Sequence, residues 1–234
     1  MERKKILFIT TSHSDFGSSG MKTGVWLEEV ATPYYIFKEA GFKVEIASIL
    51  GSKIPIDPIS ETKEWQTADT IKFKNDRVAM EQLQKSLKLD ELDVNQYLQV
   101  YLPGGHGPMW DFIGNELLTK ILYEFYRRGK VIGAICHGVA ALVDLQNSKG
   151  RALVKGKNLT AFSDDEENAV NAQEIVPFLL ETRLRELGAL YSKGDNFSSH
   201  VVIDNHLVTG QNPASSKATA EAMIAFDKKR NLMT

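Results

Sequence analysis

Apolar runs and helical repeats alternate along the first fifty residues. Residues 4–10 (KKILFIT) are apolar and partly β-branched after a charged start, a pattern typical of a strand buried on both faces of a parallel sheet. Residues 23–41 carry apolar positions at helical spacing and end at Gly41, and Pro33 predicts a kink or break within them. Residues 42–48 then alternate like a second strand. This strand–helix–strand order predicts an open, mostly parallel α/β sheet.

Residues 51–95 interrupt this order. They are longer than a minimal crossover, begin like a loop and contain a helical pattern that starts near Asn75. No repeat, low-complexity tract or interdomain linker separates them from the rest of the chain. We therefore interpret residues 51–95 as an insertion on a single domain that spans residues 1–234.

The alternation resumes near the middle of the chain. Residues 95–105 predict a strand that ends in a glycine pair, and residues 115–130 predict an amphipathic helix. Residues 130–136 predict the next buried strand, and a helix is expected directly after it, over residues 137–145. The last third predicts, in chain order, a strand at 157–163, an acidic helix start at 164–170, a helix at 176–189 with Pro177 at its beginning, a β-hairpin at 200–210 with Asp204 and Asn205 at the turn, and a helix at 215–230.

Composition and charge narrow the class of protein. Apolar residues make up 43% of the 234-residue chain, which is enough to bury a core in one α/β unit. Lys and Arg number 28 against 30 Asp and Glu, so there is no basic excess that would favour nucleic acid or an anionic membrane. No apolar stretch approaches the roughly 18–20 residues of a membrane span. We therefore expect neither nucleic acid nor a membrane as a partner.

The chain contains a single cysteine, Cys136, so no internal disulfide can form. The apolar run near the N-terminus is too short for a signal peptide and lacks a small-residue cleavage site. These two features predict a reducing cytoplasm, in which a lone thiol stays free.

Cys136 lies where the predicted strand at 130–136 turns into the following helix. Gly133, Ala134 and Gly138 surround it, and small neighbours are what a sharp strand-to-helix turn needs. Such a turn places the thiol at the carboxyl end of a parallel strand, where backbone N–H groups lower the thiol pKa and favour the thiolate. The alternative interpretation is a small buried hydrophobic residue, the usual position of a free cysteine.

A second motif, Gly104-Gly105-His106-Gly107, follows the preceding predicted strand. Glycines let backbone N–H groups approach a ligand or a developing oxyanion, so we predict that Gly104, Gly105 and His106 bind substrate or stabilise the oxyanion. A tight turn after a strand would fit the motif equally well. His106 by itself reads most simply as a residue at the rim of a site.

Two groups of carboxylates are candidates for acid–base roles. Glu28 and Glu29 lie in an otherwise apolar helix start, and a carboxyl group in an apolar cleft has a raised pKa and can hydrogen-bond a thiolate. Residues 164–167 are four carboxylates in a row, of which one could orient a catalytic histidine. Surface charges and a solvated helix start remain the simpler interpretations of both groups.

These stretches together resemble a known family. AICHG at 134–138, PGGHG at 103–107 and KTGVWLEE at 22–29 are similar to the ThiJ/PfpI superfamily. GKNLTAFSDDEE at 156–167 and LVTGQNPASS at 207–216 resemble its branch of heat-shock protein 31 and the glutathione-independent glyoxalases. The resemblance extends from about residue 4 to about residue 225. It implies a flavodoxin-like three-layer sandwich with a mostly parallel central sheet and an added β-hairpin, and a homodimer.

The resemblance also implies roles for individual residues. Cys136 matches the nucleophile, His137 the adjacent histidine, and Glu29 the glutamate that hydrogen-bonds the thiol. Glu167 matches the third member of the triad, and Gly105 the glycine whose N–H stabilises the oxyanion together with that of His137. The ligands of the zinc site of some relatives are not recognisable here, so we predict no metal and no other cofactor.

The activity implied by the resemblance is conversion of methylglyoxal, or another 2-oxoaldehyde, to lactate through a cysteine hemithioacetal, with deglycase or stress-chaperone activity as possible additions. One alternative is a hydrolase similar to class I glutamine amidotransferases or cysteine peptidases, whose histidine is remote in sequence from the cysteine. The adjacent His137 argues against that alternative. A second alternative is a holdase chaperone or oxidative-stress sensor, which would need an exposed apolar patch or a readily oxidised thiol.

Overall fold

A central β-sheet flanked by helices forms the framework of the protein in the computed structural model, which describes residues 4–231. The strands are β1 (Lys5–Thr10), β2 (Lys43–Ser48), β3 (Leu87–Lys88), β4 (Gln99–Leu102), β5 (Val131–Ile135), β6 (Asn158–Leu159), β7 (Leu190–Tyr191), β8 (Val201–Asp204) and β9 (Leu207–Gly210). The helices are α1 (Leu27–Glu39), α2 (Ala68–Asn75), α3 (Arg77–Gln84), α4 (Pro108–Asp111), α5 (Glu116–Arg127), α6 (Asp164–Ala169), α7 (Leu180–Glu186) and α8 (Ser216–Asn231).

Seven strands form the main sheet in the order β3-β2-β1-β4-β5-β9-β8. All neighbours in it are parallel except β8 and β9, which form the predicted antiparallel hairpin. Asn205 at its turn adopts a φ of 54°, a conformation that asparagine tolerates better than most residues. The mostly parallel sheet with an added hairpin confirms the predicted fold class.

Alternate residues of β1 pack into two separate cores. Leu7 and Ile9 face a cluster that includes the apolar side of α5, whereas Ile6 and Phe8 face a cluster that includes α1 and α8. Because both faces of the strand are covered, its sequence is apolar throughout rather than alternating. The sheet is thus the middle of three layers, as expected.

Helix α1 continues through Pro33, so a break there is excluded, while the predicted kink stays a prediction. Proline has no N–H to donate to the carbonyl four residues earlier, which is that of Glu29. The hydroxyl of Tyr101 in β4 donates to this carbonyl instead, at 3.0 Å. The hydrogen bond that Pro33 removes is therefore replaced from another element, and the helix persists.

Three other elements differ from their predictions. The segment after β5 is a seven-residue 3₁₀ helix, Cys136–Leu142, and not an α-helix over 137–145. The strand expected at 157–163 is reduced to β6, which pairs only with β7, because the next amide, that of Thr160, donates to the Thr209 hydroxyl. Helix α7 begins at Leu180, after an extended Leu179, rather than at residue 176.

Residues 51–95 supply the edge strand β3 and the helices α2 and α3. Leu83 and Ala79 of α3 and Phe73 of α2 join the same core as α1. The segment therefore packs against the main sheet, and its interpretation as an insertion on one domain stays a prediction. Within residues 4–231, no helix has both the length and the apolar character needed to cross a membrane.

Candidate active site

Strand register places the two glycine-containing motifs side by side. Leu102 at the end of β4 lies opposite Ala134 of β5, so the turn that follows β4 reaches the residue that follows β5. The order of strands reverses between β1 and β4, and ligands bind at the carboxyl ends of strands beside such a reversal. Helix α1, which follows β1, adds its first turn to the same edge of the sheet. The sheet topology thus brings Cys136, Gly105 and Glu29 together.

Cys136 adopts the strained conformation that its neighbours predict. Its φ is 55°, in the left-handed region that non-glycine residues rarely occupy, and it is 4% exposed. Gly138 makes this turn possible, because a Cβ there would lie 2.2 Å from the carbonyl oxygen of Leu102. The small residues of the motif are therefore explained by close backbone packing around a sharp turn.

Cys136, His137 and Glu167 form a continuous chain of polar contacts. The Sγ atom of Cys136 lies 3.3 Å from Nδ1 of His137, and Nε2 of His137 lies 2.7 Å from Oε2 of Glu167. Glu167 is the fourth residue of α6, whose start is fixed by a capping box between Ser163 and Glu166. The structure thus brings the three predicted triad residues into one array.

The ionisation of this array follows from its surroundings. Burial lowers the pKa of His137 more than the charge of Glu167 raises it, so the imidazole is neutral at neutral pH. Burial alone would raise the pKa of Glu167, but the positive charge that His137 carries when it is protonated, together with hydrogen bonds from His106 and His137, outweighs burial and lowers that pKa. An ionised carboxylate only accepts hydrogen bonds, so Nε2 of His137 carries the proton. Nδ1 is left as a base that faces the sulfur.

Glu29 is the opposite case, a carboxyl group that stays protonated. It is completely buried, and burial raises its pKa to about 8 against hydrogen bonds with Gly104 and Cys136 that lower it. Its Oε2 accepts a hydrogen bond from the backbone N–H of Gly104 at 2.6 Å. Its Oε1 is buried and makes no hydrogen bond to a nitrogen or oxygen atom of the described residues. At neutral pH, Glu29 is therefore a hydrogen-bond donor positioned beside the thiol.

The thiol of Cys136 does not have the lowered pKa that the sequence predicts. Burial raises its pKa well above the ordinary value, and the negative charge that Glu29 acquires above about pH 8 raises it further, while the N–H groups of Gly105 and His137 lower it. Only a short 3₁₀ helix follows the cysteine, so no long helix dipole offsets the burial. The prediction of a resting thiolate is therefore wrong, and ionisation requires proton transfer to the neighbouring base.

Gly104, Gly105 and His106 each contact a different group of the site. The Gly104 N–H is used by Glu29, whereas the Gly105 N–H points at the sulfur. Gly105 has a φ of 86°, and a Cβ there would lie 2.2 Å from the Gly24 carbonyl oxygen. His106 donates from Nε2 to Oε1 of Glu167 at 2.7 Å, and its ring centroid lies 4.2 Å from that of His137. Glu167 thus holds two imidazoles, one on each oxygen.

A cavity of about 40 Å³ is lined in part by Cys136. Beside Gly105, His106, Cys136 and His137, its wall consists of apolar side chains: Trp26, Trp65, Phe162, Val170, Phe197 and Pro213. By the measure that roughly 10–15 Å³ holds one water molecule, the cavity has room for only a few atoms. A larger groove of about 610 Å³ passes Lys22 and Lys53 and contains none of the predicted site residues.

His106, His137 and Glu167 also form a group that could hold a metal ion, since one ligand atom of each lies within 4.8 Å of the others. In the structure these atoms bond to one another, and both imidazole nitrogens donate to the carboxylate. Hydrogen bonding therefore accounts for the arrangement. The absence of a metal or other cofactor stays a prediction.

Two contributions to the site are missed by the sequence. The aromatic wall of the cavity includes Trp65 from the segment 51–95 and Phe197 from a loop. Only the position of Trp65, a single tryptophan in a polar stretch, could have indicated its role from the sequence. The acidic run at 164–167 also contains two buried glutamates with different partners, which the sequence does not distinguish. Glu166 accepts hydrogen bonds from Ser163, Phe197 and Asn212, and only Glu167 faces the histidines.

Comparison with known proteins gives a consistent result over nearly the whole chain. The DJ-1/PfpI family model matches residues 21–225. The Saccharomyces cerevisiae protein named glutathione-independent glyoxalase HSP31 is 34% identical, over 96% of this chain and 98% of its own length.

Two crystal structures agree closely with the fold. That of Rapid Encystment Protein 24 kDa from Francisella tularensis has a TM-score of 0.92 and 38% identity, and covers 95% of this chain and 98% of its own. That of glyoxalase III from Candida albicans has a TM-score of 0.88 and 30% identity, and covers 95% and 97%. The resemblance drawn from the sequence motifs is confirmed.

Proposed function

The chain belongs to the DJ-1/PfpI family, and on that premise we propose that it is a glutathione-independent glyoxalase. Such an enzyme converts methylglyoxal to lactate, or another small 2-oxoaldehyde to the corresponding 2-hydroxy acid. The observation that carries the proposal is the array of Cys136, neutral His137 and ionised Glu167 at a cavity of about 40 Å³. A three-carbon aldehyde suits so small and apolar a space. The names of the relatives support the same reaction.

The first step is addition of the thiol to the aldehyde carbon. Nδ1 of His137 takes the thiol proton as the C–S bond forms, and the resulting imidazolium is stabilised by Glu167. The protonated Glu29 donates a hydrogen bond to the sulfur while the sulfur carries negative charge. The N–H groups of Gly105 and His137, which point at the sulfur, are positioned to hold the new alkoxide. Return of the proton from His137 to that oxygen gives a neutral hemithioacetal.

The second step moves hydrogen between the two substrate carbons. His137 removes the proton from the carbon bonded to sulfur, which forms an enediolate whose oxygen faces the same N–H groups. His137 then returns that proton to the neighbouring carbon, and the hydroxyl proton of the sulfur-bearing carbon passes to the oxygen of that neighbour, so that the product is a lactoyl thioester of Cys136. Attack of water on this thioester releases lactate and restores the thiol. The carbons and sulfur exchange no electrons with an outside reagent, so the scheme requires no glutathione and no redox cofactor.

The test is lactate formation from methylglyoxal without glutathione. We expect Cys136→Ala to abolish turnover, Glu167→Ala to lower kcat by about 10²–10⁴-fold because His137 loses its partner, and Glu29→Gln to lower it less. Circular dichroism checks that each variant is folded. Substantial lactate formation by Cys136→Ala would refute the mechanism.

The competing hydrolase activities are tested with the same samples. An enzyme of the amidotransferase or peptidase type would release ammonia from glutamine or fragments from casein. We expect neither, because the histidine that contacts the thiol is its neighbour in sequence. Cysteine-dependent hydrolysis of either compound, without methylglyoxal turnover, would favour that alternative.

A further inference from the structure

The cavity at Cys136 shares a wall with a second cavity. Trp26, Trp65 and Pro213 line both the space of about 40 Å³ at Cys136 and a groove of about 200 Å³ beside it. Polar side chains complete the groove, among them Glu28, Thr67 and Lys217. Three side chains therefore separate a small reaction chamber from a volume five times as large.

Trp65 is the outermost member of a row of aromatic rings that leads to the catalytic imidazole. Its ring centroid lies 5.1 Å from that of Trp26 and 6.4 Å from that of Phe197, both in edge-to-face geometry. Phe197 in turn lies 6.3 Å from Phe162, which lies 4.6 Å from His137. Edge-to-face contacts of this kind stabilise a defined arrangement of rings. Trp65 therefore occupies a fixed place in the wall.

The other parts of the wall are anchored to the site itself. Phe197 has a strained φ of 58°, and its N–H donates to the buried carboxylate of Glu166 at 2.7 Å. The backbone N–H of Trp26 donates to the carbonyl of Gly104 at 3.1 Å. Both residues are therefore tied through their backbone to groups of the site.

Trp65 differs because it comes from residues 51–95. It ends the short 3₁₀ helix Lys63–Trp65, is half-buried, and its backbone N–H bonds only within that turn, to Thr62. Cys136 and His137 come from the 3₁₀ helix that follows β5, and Glu29 comes from α1. The indole can therefore be removed while the chemistry is left in place.

We infer that Trp65 determines the size of the 2-oxoaldehyde that reaches Cys136. With the indole present, the chamber accepts two carbonyl carbons and a short alkyl group. Without it, the chamber and the groove become one space that admits an aryl substituent against Trp26 and Pro213. This inference rests on the proposed function for the substrate class, and on the shared wall alone for the size limit.

The kinetic test compares methylglyoxal with phenylglyoxal in the full-length chain, without glutathione. In Trp65→Ala, we expect the ratio of kcat/KM for phenylglyoxal to that for methylglyoxal to rise about tenfold or more, since contacts in an apolar pocket discriminate at that level. Trp65→Phe should give an intermediate ratio. Trp110→Ala, which removes a tryptophan outside both cavities, should leave the ratio unchanged. An unchanged ratio in an active Trp65→Ala enzyme overturns the inference.

A second measurement does not depend on turnover. Cys136 is the only thiol of the chain, so its alkylation can be followed by intact mass. We expect Trp65→Ala to increase the rate with N-phenylmaleimide relative to that with N-methylmaleimide, and Trp110→Ala to leave this ratio unchanged. If the wild type converts no methylglyoxal, the proposed function fails, but the alkylation ratio still decides whether Trp65 limits access. An alkylation ratio equal to that of the wild type overturns the inference.

Discussion

At the scale of single residues, the site holds two carboxyl groups in opposite states. Glu29 is completely buried and keeps its proton to a pKa of about 8, while Glu167 is ionised because two imidazoles donate to it. Pairs of acids whose surroundings give them very different pKa values are common in active sites where one group must donate a proton or hydrogen bond and the other must accept one. The two glutamates thus have distinct tasks around a single thiol.

The state of Glu29 predicts a pH-dependent stability. Its pKa of about 8 in the folded protein lies above the ordinary value of 4.5, so the folded state binds the proton more tightly than the unfolded state. The resulting stabilisation is complete below about pH 4.5 and is lost as the pH rises through about 8. We expect the free energy of unfolding of the wild type to fall by roughly 3 kcal/mol relative to that of Glu29→Gln between pH 5 and pH 8.

Urea unfolding at several pH values measures this difference. Glu39→Gln, which changes an exposed residue of the same helix, is the matched control and should keep a constant difference from the wild type. A constant difference for Glu29→Gln as well would show that this carboxyl group is ionised when the protein is folded.

The second imidazole on Glu167 gives a prediction for His106. His106→Phe removes a hydrogen bond to a charged group, which is worth about 1.5–3 kcal/mol, so we expect kcat/KM to fall about ten- to a hundredfold. Because His106 lowers the pKa of both Glu167 and His137, its loss should also move the acidic limb of the pH–rate profile to higher pH. His106→Gln keeps an N–H donor and should retain more activity. Equal losses in the two variants, without a shift of the profile, would assign His106 to packing alone.

At the scale of elements, the catalytic groups depend on contacts between strands and helix α1. The register of β4 against β5 sets Gly105 beside Cys136, and the Tyr101 hydroxyl holds the carbonyl of Glu29. The second contact replaces the hydrogen bond that Pro33 cannot make. One strand, β4, therefore positions both the oxyanion donor Gly105 and the acid Glu29.

A double-mutant cycle tests the link between Tyr101 and Pro33. Tyr101→Phe leaves the buried carbonyl of Glu29 without a donor, so we expect a loss of about 1–3 kcal/mol in the free energy of unfolding. In a Pro33→Ala background, the restored N–H of residue 33 can donate to that carbonyl, so the same substitution should have a smaller effect. Additive effects in urea unfolding would contradict the replacement of one donor by the other.

The same contact explains why the sequence predicts some elements and not others. The buried strands, α1 and the hairpin follow from local periodicity and turn residues, which is why they agree with the structure. The behaviour at Pro33 depends on a hydroxyl 68 positions away, and the end of β6 depends on the Thr209 side chain. In the site, the small residues around Cys136 indicate the turn. The burial that raises the thiol pKa is a property of the assembled layers, which local pattern does not contain.

At the scale of the whole molecule, the family implies a homodimer. The structure describes one chain, and several of its described apolar side chains, including Leu50, Val78 and Leu190, are more than half exposed. We predict a species of twice the chain mass of 26.1 kDa in light scattering after gel filtration. A monomer at concentrations where the enzyme is active would contradict this prediction and would show that one chain contains a complete site.

The origin of Trp65 in residues 51–95 has a consequence for how such enzymes diverge. The reacting groups are carried by the 3₁₀ helix after β5, by α1 and by α6, whereas Trp65 is carried by a short 3₁₀ helix that lies outside the strands of the sheet. Descendants of a common ancestor can thus acquire new substrate ranges by exchanging one peripheral segment. In engineering, the same separation makes residues 62–66 a compact target for a randomised library. The catalytic residues stay unchanged in such a library, and its members are screened for substrate preference.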